Sequence, residues 1–326
     1  MPKPKPKPVS PLLSYMRLFR LPNVFTAVAD VMMGFLVVRG SFEPVAAFVC
    51  LVGASCLLYL AGMVLNDVYD LDVDARERPA RPLPAGEISP VWAKWLGYEL
   101  LLLGVALGSL AGYAQWDGIA IPWRSGAVVS LLAACVVGYD IGLKATALGP
   151  AVMGACRMLN VLLGMSLAPA VAAGGPALLL GFHWPQIVLA AGLGVYVAGV
   201  TWYARTEAKE SNQRQLAAGT GVMVLGIALF GTFPMLGPMG GSDTQMDARW
   251  WWLLLAMLGF TIVRRSLSAA LNPSPSAVQV AVKQAILSLI VLDAAATLMV
   301  RGPQMALIVL VLLVPAIVLG RWVYST

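Results

Sequence analysis

Ten apolar runs, each long enough to cross a lipid bilayer, divide this chain: about 23–41, 46–66, 93–113, 125–141, 148–172, 186–204, 216–236, 250–267, 278–300 and 303–323. An α-helix rises about 1.5 Å per residue, so some 20 residues cover a hydrocarbon core of about 30 Å. Inside lipid, every backbone amide must find its partner within the protein, which leaves a helical bundle as the solution for such runs. The chain is 59% hydrophobic and only 12% charged, more apolar surface than a water-soluble domain can hide. The expected fold class is therefore all-α: a polytopic membrane bundle of nine or ten spans around a central cavity. The last pair of runs leaves room for a re-entrant piece. Residues 15–326 read as one transmembrane unit behind a disordered basic tail, 1–14.

Basic residues set an orientation. Lys3, Lys5, Lys7, Arg17 and Arg20 precede the first run, and Arg76, Arg78, Arg81 and Lys94 follow the second. Lys144 follows the fourth, Arg205, Lys209 and Arg214 the sixth, Arg264 and Arg265 the eighth, and Arg321 ends the tenth. The other side carries only Arg39, Arg124, Arg249 and Arg301 in its loops. The positive-inside bias then puts both termini and the motif-bearing loops in the cytoplasm of an inner-membrane protein. The net charge of +6 is explained by this bias and by anionic headgroups, without a nucleic-acid partner. The opening MPKPKPKPVS is too proline-rich for a signal peptide. Cys50, Cys56, Cys135 and Cys156 lie inside apolar runs without metal-ligand spacing, so they read as small core residues. The single histidine, His183, falls in a loop on the far side, which argues against histidine-based catalysis.

Polar chemistry gathers where the second run ends, in NDVYDLDVDARERPARPLPAGEIS. At about 100° per residue, Asn66, Asp67, Asp70 and Asp74 share an arc of roughly 100°, while Asp72 falls about 140° from Asp67. Acids on one face beside lipid are costly unless a cation neutralises them. Oxygen-only ligands suit a hard ion such as Mg2+, which commonly bridges carboxylates to phosphate oxygens. The cluster therefore reads as a metal–diphosphate site at a membrane surface.

Two further clusters lie on the same side. Tyr203, Glu207 and Glu210, at the end of the sixth run, follow i, i+4, i+7 spacing and face one way. They form either a second acidic face or ordinary pairs with Arg205, Lys209 and Arg214. Lys144 and Thr146 lie in a short loop, and Arg157 and Asn160 share a face one to three turns into the fifth run. A guanidinium there suits phosphate oxygens. The structural alternative pairs Arg157 with Asp140 or Asp30.

These residues resemble the UbiA superfamily of intramembrane prenyltransferases. The family's first motif, NDxxDxxxD, is matched by Asn66, Asp67, Asp70 and Asp74, and the trailing RPLPAGEIS matches through Arg81, Pro82, Leu83, Gly86, Ile88 and Ser89. RLFRLPNVFTA resembles the first-helix entry, with Asn23 as the polar residue near the diphosphate. YDIGLKATALGP resembles the loop that carries Lys144, with Asp140 where the family usually has proline. The resemblance runs from about residue 15 to 215. The second motif departs from the pattern: Val200 stands at its first aspartate, Glu207 and Glu210 at later acids, and Ser211 at the last.

The resemblance implies Mg2+-dependent transfer of a prenyl group from an isoprenyl diphosphate to a small, aromatic or cyclic acceptor at the bilayer. It assigns Asp67, Asp70 and Asp74 to one Mg2+ and Glu207 and Glu210 to a second. Arg76, Lys144 and Arg157 contact diphosphate, and Asn23, Asn66, Asn160 and Tyr203 add polar contacts. The altered second motif keeps two alternatives open: an isoprenoid-binding carrier without chemistry, and a diphosphate cyclase or hydrolase.

Overall fold

The computed structural model describes residues 10–113, 121–168, 178–205, 212–239, 244–271 and 273–323. Thirteen α-helices follow in order: α1 (Pro11–Leu18), α2 (Val24–Arg39), α3 (Val45–Tyr69), α4 (Leu71–Glu77), α5 (Pro90–Tyr113), α6 (Trp123–Ile141), α7 (Gly149–Met165), α8 (Trp184–Ala204), α9 (Gln213–Gly231), α10 (Ala248–Leu271), α11 (Pro275–Arg301), α12 (Pro303–Val311) and α13 (Leu313–Trp322). Among the described residues, nine stretches are long and apolar enough to span a membrane, the last being α12 and α13 together. α7 is the expected fifth run, but it is a shorter helix of 17 residues that ends at Met165 rather than 172. The polytopic helical bundle follows the apolar runs closely. Residues 11–14, expected within the tail, form the first turn of α1, where Ser14 donates to Glu87 Oε2 at 2.6 Å.

Helix boundaries have local causes. Proline opens α1, α7, α8, α11 and α12, where a missing N–H costs nothing. The Asn212 and Ser274 side chains accept backbone N–H groups at the starts of α9 and α11. Gly302, at φ +81°, makes the left-handed turn between α11 and α12.

Glycine seams bring helix backbones into close contact. A Cβ on Gly199 of α8 would lie 2.6 Å from Met223 N of α9, and one on Gly192 would lie 2.5 Å from Phe230 N. A Cβ on Gly154 of α7 would lie 2.5 Å from Gly194 O of α8, and one on Gly34 of α2 would lie 2.6 Å from Val161 O of α7. Small residues permit such approach where lipid supplies no hydrophobic drive between helices. α3 meets α5 with Leu58 and Leu65 seated over Gly104 and Gly97, and a Cβ on Gly104 would also lie 3.3 Å from Ala54 O. Outward faces are apolar and exposed, as at Trp95, Leu102 and Leu103 on α5 and at Met257 and Phe260 on α10.

One irregularity positions the site. The second span breaks at Asp70, whose φ of −93° and ψ of 6° end α3 and begin the short helix α4. The following loop is pinned by a small core in which Leu83 and Ile88 pack with Leu18, Val64 and Ala93.

Candidate active site

Asp67 lies in the last turn of α3 and is 3% exposed. Its Oδ1 accepts Arg20 Nη2 at 2.8 Å and Arg81 Nη1 at 3.3 Å. The same Arg81 nitrogen donates to Asp74 Oδ2 at 2.5 Å. Asp70 Oδ1 pairs with Lys144 Nζ at 2.7 Å, and that ammonium also donates to Asn66 Oδ1 at 3.2 Å. The pinned loop after α4 is what turns Arg81 back over the acids. Burial pushes the Asp74 carboxyl above the usual range, and the Arg81 guanidinium opposes that rise. Asp72 is exposed. Asn66, Asp67, Asp70 and Asp74 are thus brought together, each facing a basic side chain.

Below the acids, a cavity of about 210 Å³ opens among α2, α3, α6, α7 and α8, with a largely apolar wall that includes Leu58, Leu132 and Val136. Arg20, Asn66, Asp140, Arg157 and Asn160 also line it. At its depth, Arg157 donates to Asp30 Oδ2, to Thr26 O at 3.0 Å and to Thr26 Oγ1 at 3.1 Å. Asn160 donates to the same Asp30 oxygen at 2.8 Å and to Ala27 O at 3.0 Å. Of the two expected readings of Arg157, the structure contains the pair with Asp30, formed on the cavity wall.

Other expected positions fall elsewhere. Arg76 is exposed, and its Nε donates to Asp72 O at 3.0 Å, so Arg20 and Arg81 face the acids in its stead. The choice of Arg76 rested on the family's spacing. Tyr203 is buried, and its hydroxyl donates to Ser266 O of α10 at 2.9 Å, away from the cavity. Asn23 ends the turn Leu21–Asn23 and is absent from the cavity lining. Glu207 and Glu210 lie outside the described residues. Just before them, Arg205 at the end of α8 donates to Lys144 O at 3.3 Å and to Thr146 O. The ends of α3, α6 and α8 therefore meet on one side. Sequence reasoning passed over Arg20, although it stood among the basic residues preceding the first run.

Residues 26–266 match the UbiA prenyltransferase family. The chain belongs to that family. Among curated proteins, this UbiA chain is similar to the digeranylgeranylglyceryl phosphate synthase of Saccharolobus solfataricus, 38% identical over 99 residues, which covers 30% of this chain and 35% of that one. It is also similar to the synthase of the same description from Ignicoccus hospitalis, 30% identical over 169 residues, 52% of each chain. The chain spans about a third of the length of several of the curated relatives it matches. Among solved structures, one described as a digeranylgeranylglyceryl phosphate synthase in membranes aligns with a TM-score of 0.62 at 17% identity, covering 90% of this chain and all of that one. A UbiA homolog from Archaeoglobus fulgidus bound to GPP and Mg2+ aligns with a TM-score of 0.55 at 15% identity, covering 86% and 99%. At such identities the likeness establishes the UbiA fold.

The metal expected of a UbiA protein can be weighed against this donor set. Among the described residues, no group of three acids stands ready to hold an ion, because the carboxylates face Arg20, Arg81 and Lys144. The donors nevertheless suit Mg2+. They are all oxygen, and Asp67 Oδ1 and Asp74 Oδ2 already converge on one nitrogen, as two carboxylates must to share a small cation.

Proposed function

We propose that this protein transfers a prenyl group from an isoprenyl diphosphate to the hydroxyl of a glyceryl phosphate lipid, releasing diphosphate. The observation that carries the reading is the cluster of Asp67, Asp70 and Asp74, each held by a base, at the mouth of an apolar cavity. A prenyl diphosphate has the same polarity: an anionic head for the cluster and an apolar tail for the cavity. Membership of the prenyltransferase family supports the reaction class. The name shared by the curated relatives favours a glyceryl phosphate acceptor over the aromatic or cyclic one expected from the sequence.

Each residue then has a role. Asp67, Asp70 and Asp74 would hold Mg2+, with Glu207 and Glu210 assigned to a second ion. An ion held there would supply charge that stabilises the departing diphosphate. Arg20, Arg81 and Lys144, released from the acids, would bind diphosphate oxygens, where preorganised positive charge lowers the barrier to breaking the allylic carbon–oxygen bond. The apolar cavity keeps water from the allylic carbon. The excess of basic residues in the same loops supports a cytoplasmic site and cytoplasmic termini.

Val200, buried in the core where the family's second motif carries an acid, favours one rival reading, an isoprenoid carrier. The test is to incubate the purified protein with geranylgeranyl diphosphate, Mg2+ and a monogeranylgeranylated glyceryl phosphate, then measure diphosphate release and product mass. Release coupled to product supports transfer. Tight binding without release supports the carrier, and release without prenylated acceptor supports a hydrolase or cyclase.

A further inference from the structure

Asp140, in the last turn of α6, is 3% exposed, and its Oδ2 is enclosed without a hydrogen-bond partner among the described residues. The neighbouring bases are engaged elsewhere: Arg20 with Asp67, Arg81 with Asp67 and Asp74, and Lys144 with Asp70 and Asn66. A buried carboxylate oxygen without a donor is expensive, so its retention calls for a ligand that brings one. Diphosphate cannot serve, because it is anionic and offers acceptors.

Position narrows the ligand further. Leu132, Val136 and Asp140 recur every four residues on α6, share one face and all line the cavity. The first two belong to the apolar wall, while Lys144 and its partner Asp70 lie just beyond Asp140. Asp140 therefore marks the level where an apolar wall gives way to charge. In a prenyl diphosphate the reacting carbon, C1, lies at that same junction between tail and head.

Resting on the transferase reading, we infer that Asp140 accepts the proton of the acceptor's hydroxyl. The acceptor oxygen bonds to C1, and the C1–oxygen bond to diphosphate breaks with its electron pair leaving on the diphosphate. The hydroxyl proton passes to the Asp140 carboxylate. Asp140 also orients the acceptor through that hydroxyl.

The test compares the parent with Asp140→Asn, which keeps size and shape but cannot take the proton. Transfer from geranylgeranyl diphosphate to a monogeranylgeranylated glyceryl phosphate should fall in kcat by about 100-fold or more, the scale of a lost general base. Binding of the unreactive geranylgeranyl thiodiphosphate with Mg2+, and the melting temperature, should match the parent. Asp140→Glu should recover part of the rate. Two outcomes overturn the role: Asp140→Asn transferring within about threefold of the parent, or losing thiodiphosphate affinity in parallel with rate. Failure of the parent to make product with either substrate at saturation would overturn the transferase reading, and the role of Asp140 with it.

Discussion

Replacing Arg157 with methionine tests whether the charge cluster at the cavity floor holds the bundle together. Methionine has a similar reach without charge. The substitution removes the guanidinium from Asp30, which is fully buried on α2, and removes two further bonds to Thr26. Asn160 still donates to Asp30 at 2.8 Å, so the carboxylate keeps one neutral donor and loses its counter-charge. Asp293 of α11 is also fully buried, and neither of its oxygens has a hydrogen-bond partner among the described residues. Breaking a buried ion pair from one side costs about 3–5 kcal/mol, more than an unpaired neutral group would. Arg157→Met should lower unfolding stability by that amount, measured by SDS titration of the protein in mixed micelles with far-ultraviolet circular dichroism. Adding Asp30→Asn removes the stranded charge and should restore about half of the loss, with Asp293 leaving the recovery incomplete. A single variant within about 1 kcal/mol of the parent would refute the argument, because surface pairs behave in that way.

Three further outcomes follow from the site. Asp67→Asn and Asp70→Asn should each abolish divalent-dependent diphosphate release, whereas Asp72→Asn, on an exposed side chain, should stay within about threefold of the parent in a metal-buffered assay. Arg81→Ala should weaken inhibition by inorganic pyrophosphate about tenfold or more, while Arg76→Ala leaves it unchanged; this contrast separates the base that faces Asp67 and Asp74 from the one that does not. Gly199→Leu should abolish recovery of folded protein from membranes, because a Cβ there already meets Met223 N at 2.6 Å, and size-exclusion profiles would report it.

Spans were legible because lipid forces each crossing to satisfy its own backbone, so length and apolarity alone mark it. The acids of α3 were legible for a similar reason: periodicity is trustworthy inside an unbroken helix. Asp74 kept to the same face although α3 ends at Asp70, whereas Arg76, chosen by the family's spacing, is exposed and bonds to Asp72 O. Tyr203 lies near the end of α8 with its hydroxyl on Ser266 O of α10, a long-range contact that spacing along one helix does not encode. Arg81 reaches back through a loop held by Leu83 and Ile88, a long-range contact that no local spacing encodes. The choice between Asp30 and Asp140 for Arg157 depended on which helices are neighbours, and it was settled only by the packing of α2 on α7.

Four helices joined backbone to backbone behave as a plate. α2, α7, α8 and α9 meet across the glycine contacts at Gly34, Gly154, Gly192 and Gly199, where no side chain can change rotamer to let one helix slide past the next. The opposite wall of the cavity is of another kind. α3 touches α6 through Val136 over Gly62, a contact that can deform by side-chain rotation. The cavity thus has one wall of backbone contacts, through α2, α7 and α8, and another, between α3 and α6, whose contact runs through a side chain. Amide hydrogen exchange should be slowest along α8 and α9 and faster along α6; uniform exchange across both walls would contradict this division of stiffness.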